Sequence, residues 1–202
     1  MRTIGSALAS ALIASALLVT AAVAGPPTDQ LKGHVDRVIQ VLDDPGLKAK
    51  PAERRAAVRK IAGAIFDYED TARRALGRHW NARTPQEQQE FVQLFADLLD
   101  RAYFARIDQY QGEKVRFTGE SITGDEAVVK TRIVTTSRSE IPVDYRMHAS
   151  SGRWRVYDVN IEGVSLVANY RSQFNKVVQT ESYEALVTKL RARQPDPSAS
   201  GR

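Results

Sequence analysis

Along this chain the spacing of the apolar positions changes twice, from helical to alternating and back. Leu31, Val35, Val38, Ile39 and Leu42 fall on one helical face that ends at Asp43-Asp44-Pro45-Gly46. A second helical stretch begins near Pro51, runs through Val58, Ile61, Ala62 and Ile65, and breaks at Phe66-Asp67. A third covers Tyr68 to Leu76 and stops at Gly77, a residue type suited to a helix C-terminus. Thr84-Pro85-Gln86-Glu87 has the form of a capping box, with Thr84 and Glu87 each bonding the other's backbone N–H. From it Phe91, Leu94, Phe95, Leu98, Ala102 and Ala105 continue as one stripe, widened by Leu99, Tyr103 and Ile107, in the longest predicted helix.

In the middle the period falls to two. Val115 to Ile122, Ala127 to Thr136, Ile141 to Ala149 and Arg153 to Ile161 read as strands separated by Thr123-Gly124-Asp125, Ser137-Arg138-Ser139 and Ser150-Ser151-Gly152. Short turns require antiparallel pairing. Ile141, Val143, Tyr145 and Met147 share one face of the third strand, while Asp144, Arg146 and His148 share the other, so the sheet is expected to bury one face and wet the other. Gly163 ends the fourth strand. From Val164 to about Gln179 the helical period returns, with Val167, Tyr170, Phe174, Val177 and Val178 inward, and a last short helix covers Tyr183 to Leu190. The order predicts an α+β fold: an antiparallel sheet of about four strands covered on one face by N-terminal and C-terminal helices.

The ends carry different signals. Arg2, the apolar and small-residue stretch Ile4 to Val19, and Ala22-Val23-Ala24 before Gly25 read as a signal peptide, residues 1–24, cleaved on export. Residues 25–192 then form a single domain, and the polar, proline-containing residues 193–202 form a disordered tail. The chain has no cysteine, which removes disulfides, thiolate chemistry and cysteine-ligated metals. Its formal net charge of +5 is spread among acidic residues, with no run of five like charges, so no nucleic-acid surface is expected.

Two blocks carry a family likeness. One is Trp154-Arg155-Val156-Tyr157-Asp158-Val159-Asn160-Ile161-Glu162-Gly163-Val164-Ser165 followed by Leu166-Val167-Ala168-Asn169-Tyr170-Arg171-Ser172-Gln173-Phe174. The other runs from Phe66-Asp67-Tyr68-Glu69-Asp70-Thr71 to Gly77-Arg78-His79-Trp80, then Thr84-Pro85 and Phe91-Val92-Gln93-Leu94-Phe95. In this order, and from about Leu31 to about Leu190, the chain resembles the MlaC or toluene-tolerance (Ttg2-type) family of periplasmic phospholipid-binding transport proteins. The resemblance implies a sheet similar to the NTF2-like cone, a deep apolar pocket for acyl chains between sheet and helices, and no cofactor or metal. It further implies a phospholipid ligand, an inner-membrane MCE-domain ABC transporter and an outer-membrane lipoprotein as partners, and a role in outer-membrane lipid asymmetry.

Catalytic patterns are weak by comparison. Gly163-Val164-Ser165-Leu166-Val167 begins like a nucleophile elbow, but Val167 stands where a second glycine is needed, so Ser165 is expected to cap the following helix instead. His34, His79 and His148 form no metal-ligand spacing, and His148 is expected on the wet face. Asp158 interrupts an apolar strand. A buried carboxylate base of the ketosteroid-isomerase kind is one reading, an ion pair with Arg153, Arg155 or Arg171 the other. A hopanoid or sterol-like ligand is a further alternative to phospholipid. On the resemblance, the pocket is expected to be lined by Phe91, Leu94, Phe95 and Leu98 of the long helix, Val129, Ile133, Val143, Tyr145, Met147, Trp154 and Val156 of the sheet, and Tyr170 and Phe174 of the helix that follows it. Periodicity alone favours a solid core, and it is the resemblance that turns the reading to a pocket.

Overall fold

The computed structural model describes residues 26–192, and for 104–108 the backbone alone. The expected signal peptide, the expected tail and the side chains of Ala105 and Ile107 lie outside the described residues. The helices are α1 (Pro27–Asp43), α2 (Pro45–Lys48), α3 (Pro51–Ile65), α4 (Tyr68–Leu76), α5 (Pro85–Asp108), α6 (Leu166–Thr180) and α7 (Tyr183–Ala192), with a 3-10 segment, Gly77–Ala82, between α4 and α5. The strands are β1 (Lys114–Thr123), β2 (Glu126–Val134), β3 (Glu140–Ser150), β4 (Arg153–Ile161) and β5 (Val164–Ser165). They form one antiparallel sheet in the order β1-β2-β3-β4-β5. The fold is α+β, as the change of period predicts.

The capping box forms as expected: Thr84 N–H donates to Glu87 Oε2 at 2.7 Å and Glu87 N–H to Thr84 Oγ1 at 3.2 Å. The sheet has five strands rather than about four. Glu162 and Gly163 both take positive φ, 51° and 86°, and a two-residue turn of that kind folds Val164–Ser165 back on Ile161–Asn160 before α6 starts.

Register explains which residues share the apolar face. Ile133 pairs with Ile141, Val129 with Tyr145 and Ala127 with Met147. On β4, Val159 pairs with Tyr145 and Val156 with Met147, so Tyr157 is an extra residue in a β-bulge. The bulge shifts the alternation by one. Trp154, Val156, Val159 and Ile161 all reach the apolar face, while Tyr157 and Asp158 are released to the other.

α1 lies on the apolar face against β1 and β2, and α3 reaches β4. Gln30 Oε1 accepts the Trp154 N–H at 2.8 Å and ties α1 to the sheet. At the end of α3 the chain crosses the free edge of β4: Phe66 bridges Val156, and Asp67 N–H donates to Val156 O at 2.8 Å. Beyond this crossing α4, α5, α6 and α7 pack mainly on one another, with α4 and α6 also against β4.

Candidate functional site

The thirteen residues expected to line a pocket are divided by the fold between two apolar clusters. Phe91, Leu94, Phe95, Leu98, Tyr170 and Phe174 belong to the helical one, together with Leu76, Trp80, Tyr183 and Leu186. Val129, Ile133, Val143, Tyr145, Met147, Trp154 and Val156 belong to the sheet-face one, with Leu31 and Ile65 laid over them. Leu94 and Leu98 are thus grouped with other helices, and Tyr145 and Met147 with neighbouring strands.

The helical cluster is tightly filled by aromatic rings. Phe91 and Phe95 stack at 6.0 Å, and Phe174 meets both edge-on at 5.6 and 5.3 Å. Tyr170 closes on Phe95 at 5.1 Å, and Tyr183 donates its hydroxyl to Glu87 O at 3.1 Å. The sheet face is graded instead. Val129, Met147 and Val156 have no accessible surface beneath α1 and α3, whereas Phe117, Ile133, Ile141, Tyr145 and Ile161 are only partly covered. Burial pushes the Tyr145 phenol up to about 12 although the residue keeps accessible surface.

A polar seam joins α4 to the other side of the sheet. His148, one residue out of phase with Met147, is half-buried and not wet: its Nε2 lies 3.1 Å from Asp67 Oδ2 and its ring meets Tyr157 edge-on. His148 lies on the face opposite Met147 as expected, but the segment leading into α4 covers this part of that face, and the role of His148 is structural rather than solvated. Thr71 donates its hydroxyl to Tyr157 O at 3.1 Å, and the Arg74 guanidinium lies 3.9 Å above the Tyr157 ring. Asp70 accepts from both Arg73 and Arg74. Burial raises the Asp70 carboxyl, but its hydrogen bonds and charge contacts with the two arginines outweigh that and hold it below the usual range.

Asp158 is buried, and both oxygens are in use: Oδ2 accepts from Ser165 Oγ at 2.6 Å and Oδ1 from Val167 N–H at 3.0 Å. Ser165 Oγ accepts the Ala168 N–H at 3.0 Å, so the pair caps α6. The structural role of Asp158 is therefore real, but its partners are the start of α6 and not an arginine. A carboxylate so engaged orients the start of α6, and the Ser165 hydroxyl donates its hydrogen bond to Asp158.

Comparison with known proteins bears on this geometry. The family described as MlaC protein matches residues 32–192. The chain belongs to the MlaC family. Among relatives, the intermembrane phospholipid transport system binding protein MlaC of Haemophilus influenzae is 21% identical over 156 residues, covering 75% of this chain and 73% of that protein. The toluene tolerance protein ttg2D of Pseudomonas putida is 23% identical over 172 residues, 83% of this chain and 80% of that protein. The solved structure of the phospholipid-binding protein from Ralstonia solanacearum in complex with a phospholipid superimposes with a TM-score of 0.76 at 27% identity, covering 84% of this chain and 97% of that chain. The matched residues take in both apolar clusters, apart from Leu31, and the polar seam.

Proposed function

We propose that this chain is a periplasmic phospholipid carrier, exported by cleavage after residue 24, that moves lipid between an outer-membrane lipoprotein complex and an inner-membrane MCE-domain ABC transporter. The observation that carries the reading is the graded sheet face, buried at one end and half-covered at the other, in a fold whose Ralstonia solanacearum counterpart holds a phospholipid. The acyl chains lie along the half-covered Ile133 and Tyr145, beside Val143, and Met147, Val129, Trp154 and Val156 form the packed base behind them. Phe91, Leu94, Phe95, Leu98, Tyr170 and Phe174 form the packed helical wall that keeps this face open. Tyr145 supports the assignment, since it is only partly covered while its neighbours Val129 and Met147 are fully buried.

The energetics set the mechanism. At about 0.8 kcal/mol per buried methylene, a chain of roughly sixteen carbons gains on the order of 12 kcal/mol on leaving water. Release into solution is negligible, so transfer requires a docked partner that offers a continuous apolar path. No hydrolysis by this chain is needed; the ATP is spent by the transporter. The test is lipid extraction and mass spectrometry of the mature protein from its own periplasm. Near-stoichiometric phospholipid is expected, with Gly25 as the first residue. Protein that is lipid-free and takes up no lipid from vesicles excludes the carrier.

A further inference from the structure

The helical half carries a second recess that the lipid reading does not use. It measures about 330 Å³, opens on the surface where α4, the 3-10 segment and α6 meet, and is lined by Leu76, Arg78, Arg171, Ser172 and Asn175. No residue of the sheet-face cluster lines it. The lining contains two guanidinium groups and no carboxylate. Among the described residues neither Arg78 nor Arg171 has an ion pair, whereas Arg73, Arg74, Arg83, Arg116 and Arg191 are each matched to an acid. Other arginines also lack a carboxylate, but these two line the same concavity.

The local chain fixes Arg171 there. Gly77 takes φ +59°, and a Cβ at that position would stand 3.2 Å from Arg171 Cδ and 3.4 Å from its Cγ. The missing side chain is the space through which the Arg171 stem passes. The neutral groups are already engaged: Asn175 Oδ1 lies 3.0 Å from His79 Nε2, Asn175 Nδ2 donates to Gln179, and Ser172 Oγ donates to Ala168 O at 3.1 Å. The charged donors that line the recess are the two guanidinium groups, with a fork geometry suited to oxyanions, and the second N–H of the Asn175 amide adds a neutral donor.

We infer that this recess is a docking site for an acidic side chain, Asp or Glu, presented by a protein partner. Exposed ion pairs are individually weak, so a short acidic peptide is held only weakly and at low ionic strength, and the surface that carries the side chain supplies the rest of the hold. A membrane is the poorer match. The recess is concave, and the exposed large apolar side chains among the described residues, Ile122 and Val164, do not line it. The inference rests on the carrier reading only in supposing that the chain meets a protein partner.

The test titrates the ¹⁵N-labelled mature protein, lipid included, with acetyl-Gly-Glu-Glu-Gly-amide at low ionic strength, following the arginine Nε–H resonances. The Gln version of the peptide, inorganic phosphate and phosphatidylglycerol vesicles serve as parallel probes. Arg78 and Arg171 are expected to shift together on one saturable curve with the Glu peptide. Arg78→Gln and Arg171→Gln each weaken it about two- to fivefold, the fold-change of an exposed pair. Arg153→Gln, on β4 and outside the recess, leaves it unchanged, and bound lipid per protein is unchanged throughout. No saturable shift, equal shifts with the Gln peptide, tighter binding of phosphate, or vesicle binding that depends on these arginines each overturns the inference. Loss of lipid in step with loss of peptide binding also overturns it, by assigning the recess to the lipid machinery. Lipid-free wild type that still binds the Glu peptide sinks the carrier reading and leaves this one standing.

Discussion

The helical cluster and the sheet face are built from the same kinds of side chain, yet they meet their surroundings differently. In the first, rings from α5, α6 and α7 interlock at 5.1 to 6.5 Å and are held from outside by the Tyr183 hydroxyl and by Arg83 over the Tyr183 ring. In the second, strands supply a flat array that α1 and α3 cover at one end only. Helices can rotate and slide until ridges fill grooves. A sheet face with fixed register cannot close on itself, and whatever the helices leave uncovered stays apolar and accessible. The contrast is between a region whose apolar groups are closed over by one another and a region left partly uncovered, the proposed receptacle.

The largest expected effect breaks the first region. Phe95 is 1% exposed and contacts Phe91, Tyr170 and Phe174, so Phe95→Ala should cost about 3 to 5 kcal/mol of stability, the usual range for emptying a buried aromatic site. Urea denaturation measures it. The folded fraction is expected to carry as much lipid as wild type. If lipid falls while stability holds, Phe95 faces the acyl chains and the division between core and receptacle fails.

A matched pair of enlargements sharpens the comparison. Leu98 is buried in the helical cluster, so if that cluster is a closed core Leu98→Trp should overpack at a cost of about 1 to 3 kcal/mol. Ile133, half-covered on the sheet, should accept Ile133→Trp with less than about 1 kcal/mol of change, while the new ring takes volume from the lipid. Melting of the delipidated variants and vesicle uptake separate the two. A stable Leu98→Trp that no longer binds lipid would move Leu98 to the cavity wall.

How much of this division could be read from the sequence depends on range. Spacing alone placed α3, α4 and β4 within a residue or two, because each has one apolar face and a marked end: Pro51 and Gly77 for the helices, Gly152 and Gly163 for the strand. Period says that Leu94 and Met147 are buried, but it does not say against what, and only the fold assigns them to separate clusters. The bulge at Tyr157 reconciles Asp158 with an apolar strand, yet nothing local announces it. The partners of His148 and of the Arg78 recess come from distant segments, so residue-by-residue reading has no access to them. Ser165 as a helix cap was legible, since the cap and the helix are adjacent.

Between the regions lies the α6 cap, and its disruption should be milder. Ser165→Ala removes the bond to Ala168 N–H and should cost about 1 kcal/mol. Asp158→Asn weakens two buried bonds at once, one from the hydroxyl of Ser165 and one from Val167 N–H, and should cost about 1.5 to 3 kcal/mol. Thermal melts read both, and lipid uptake by the folded protein is expected to persist. Complete loss of function at unchanged stability in both variants would restore the enzyme reading.

The smallest effect concerns acid. Asp70, in the seam, and Asp100, on α5, are both well covered, yet they titrate in opposite senses. Burial opposes ionisation of each. At Asp70 the bonds and charges of Arg73 and Arg74 win and the carboxyl is held down; at Asp100 burial prevails over Arg59, 2.7 Å away, with Asp97 adding repulsion, and the carboxyl is raised. A folded value below the unfolded one near 3.9 means that the Asp70 contribution is complete above about pH 4 and is lost as pH falls through its folded value. Asp100 has the opposite sign: its folded value lies above the unfolded one, so stability falls as pH rises from about 4 through that value. Asp70→Asn should therefore flatten the acid loss of stability, while Asp100→Asn should remove a decline on the less acidic side. Unfolding free energies of the three proteins across this range decide it. An Asp70→Asn variant as acid-sensitive as wild type would show that the two arginines do not hold that carboxylate, and that the seam joins helix to sheet without its charge.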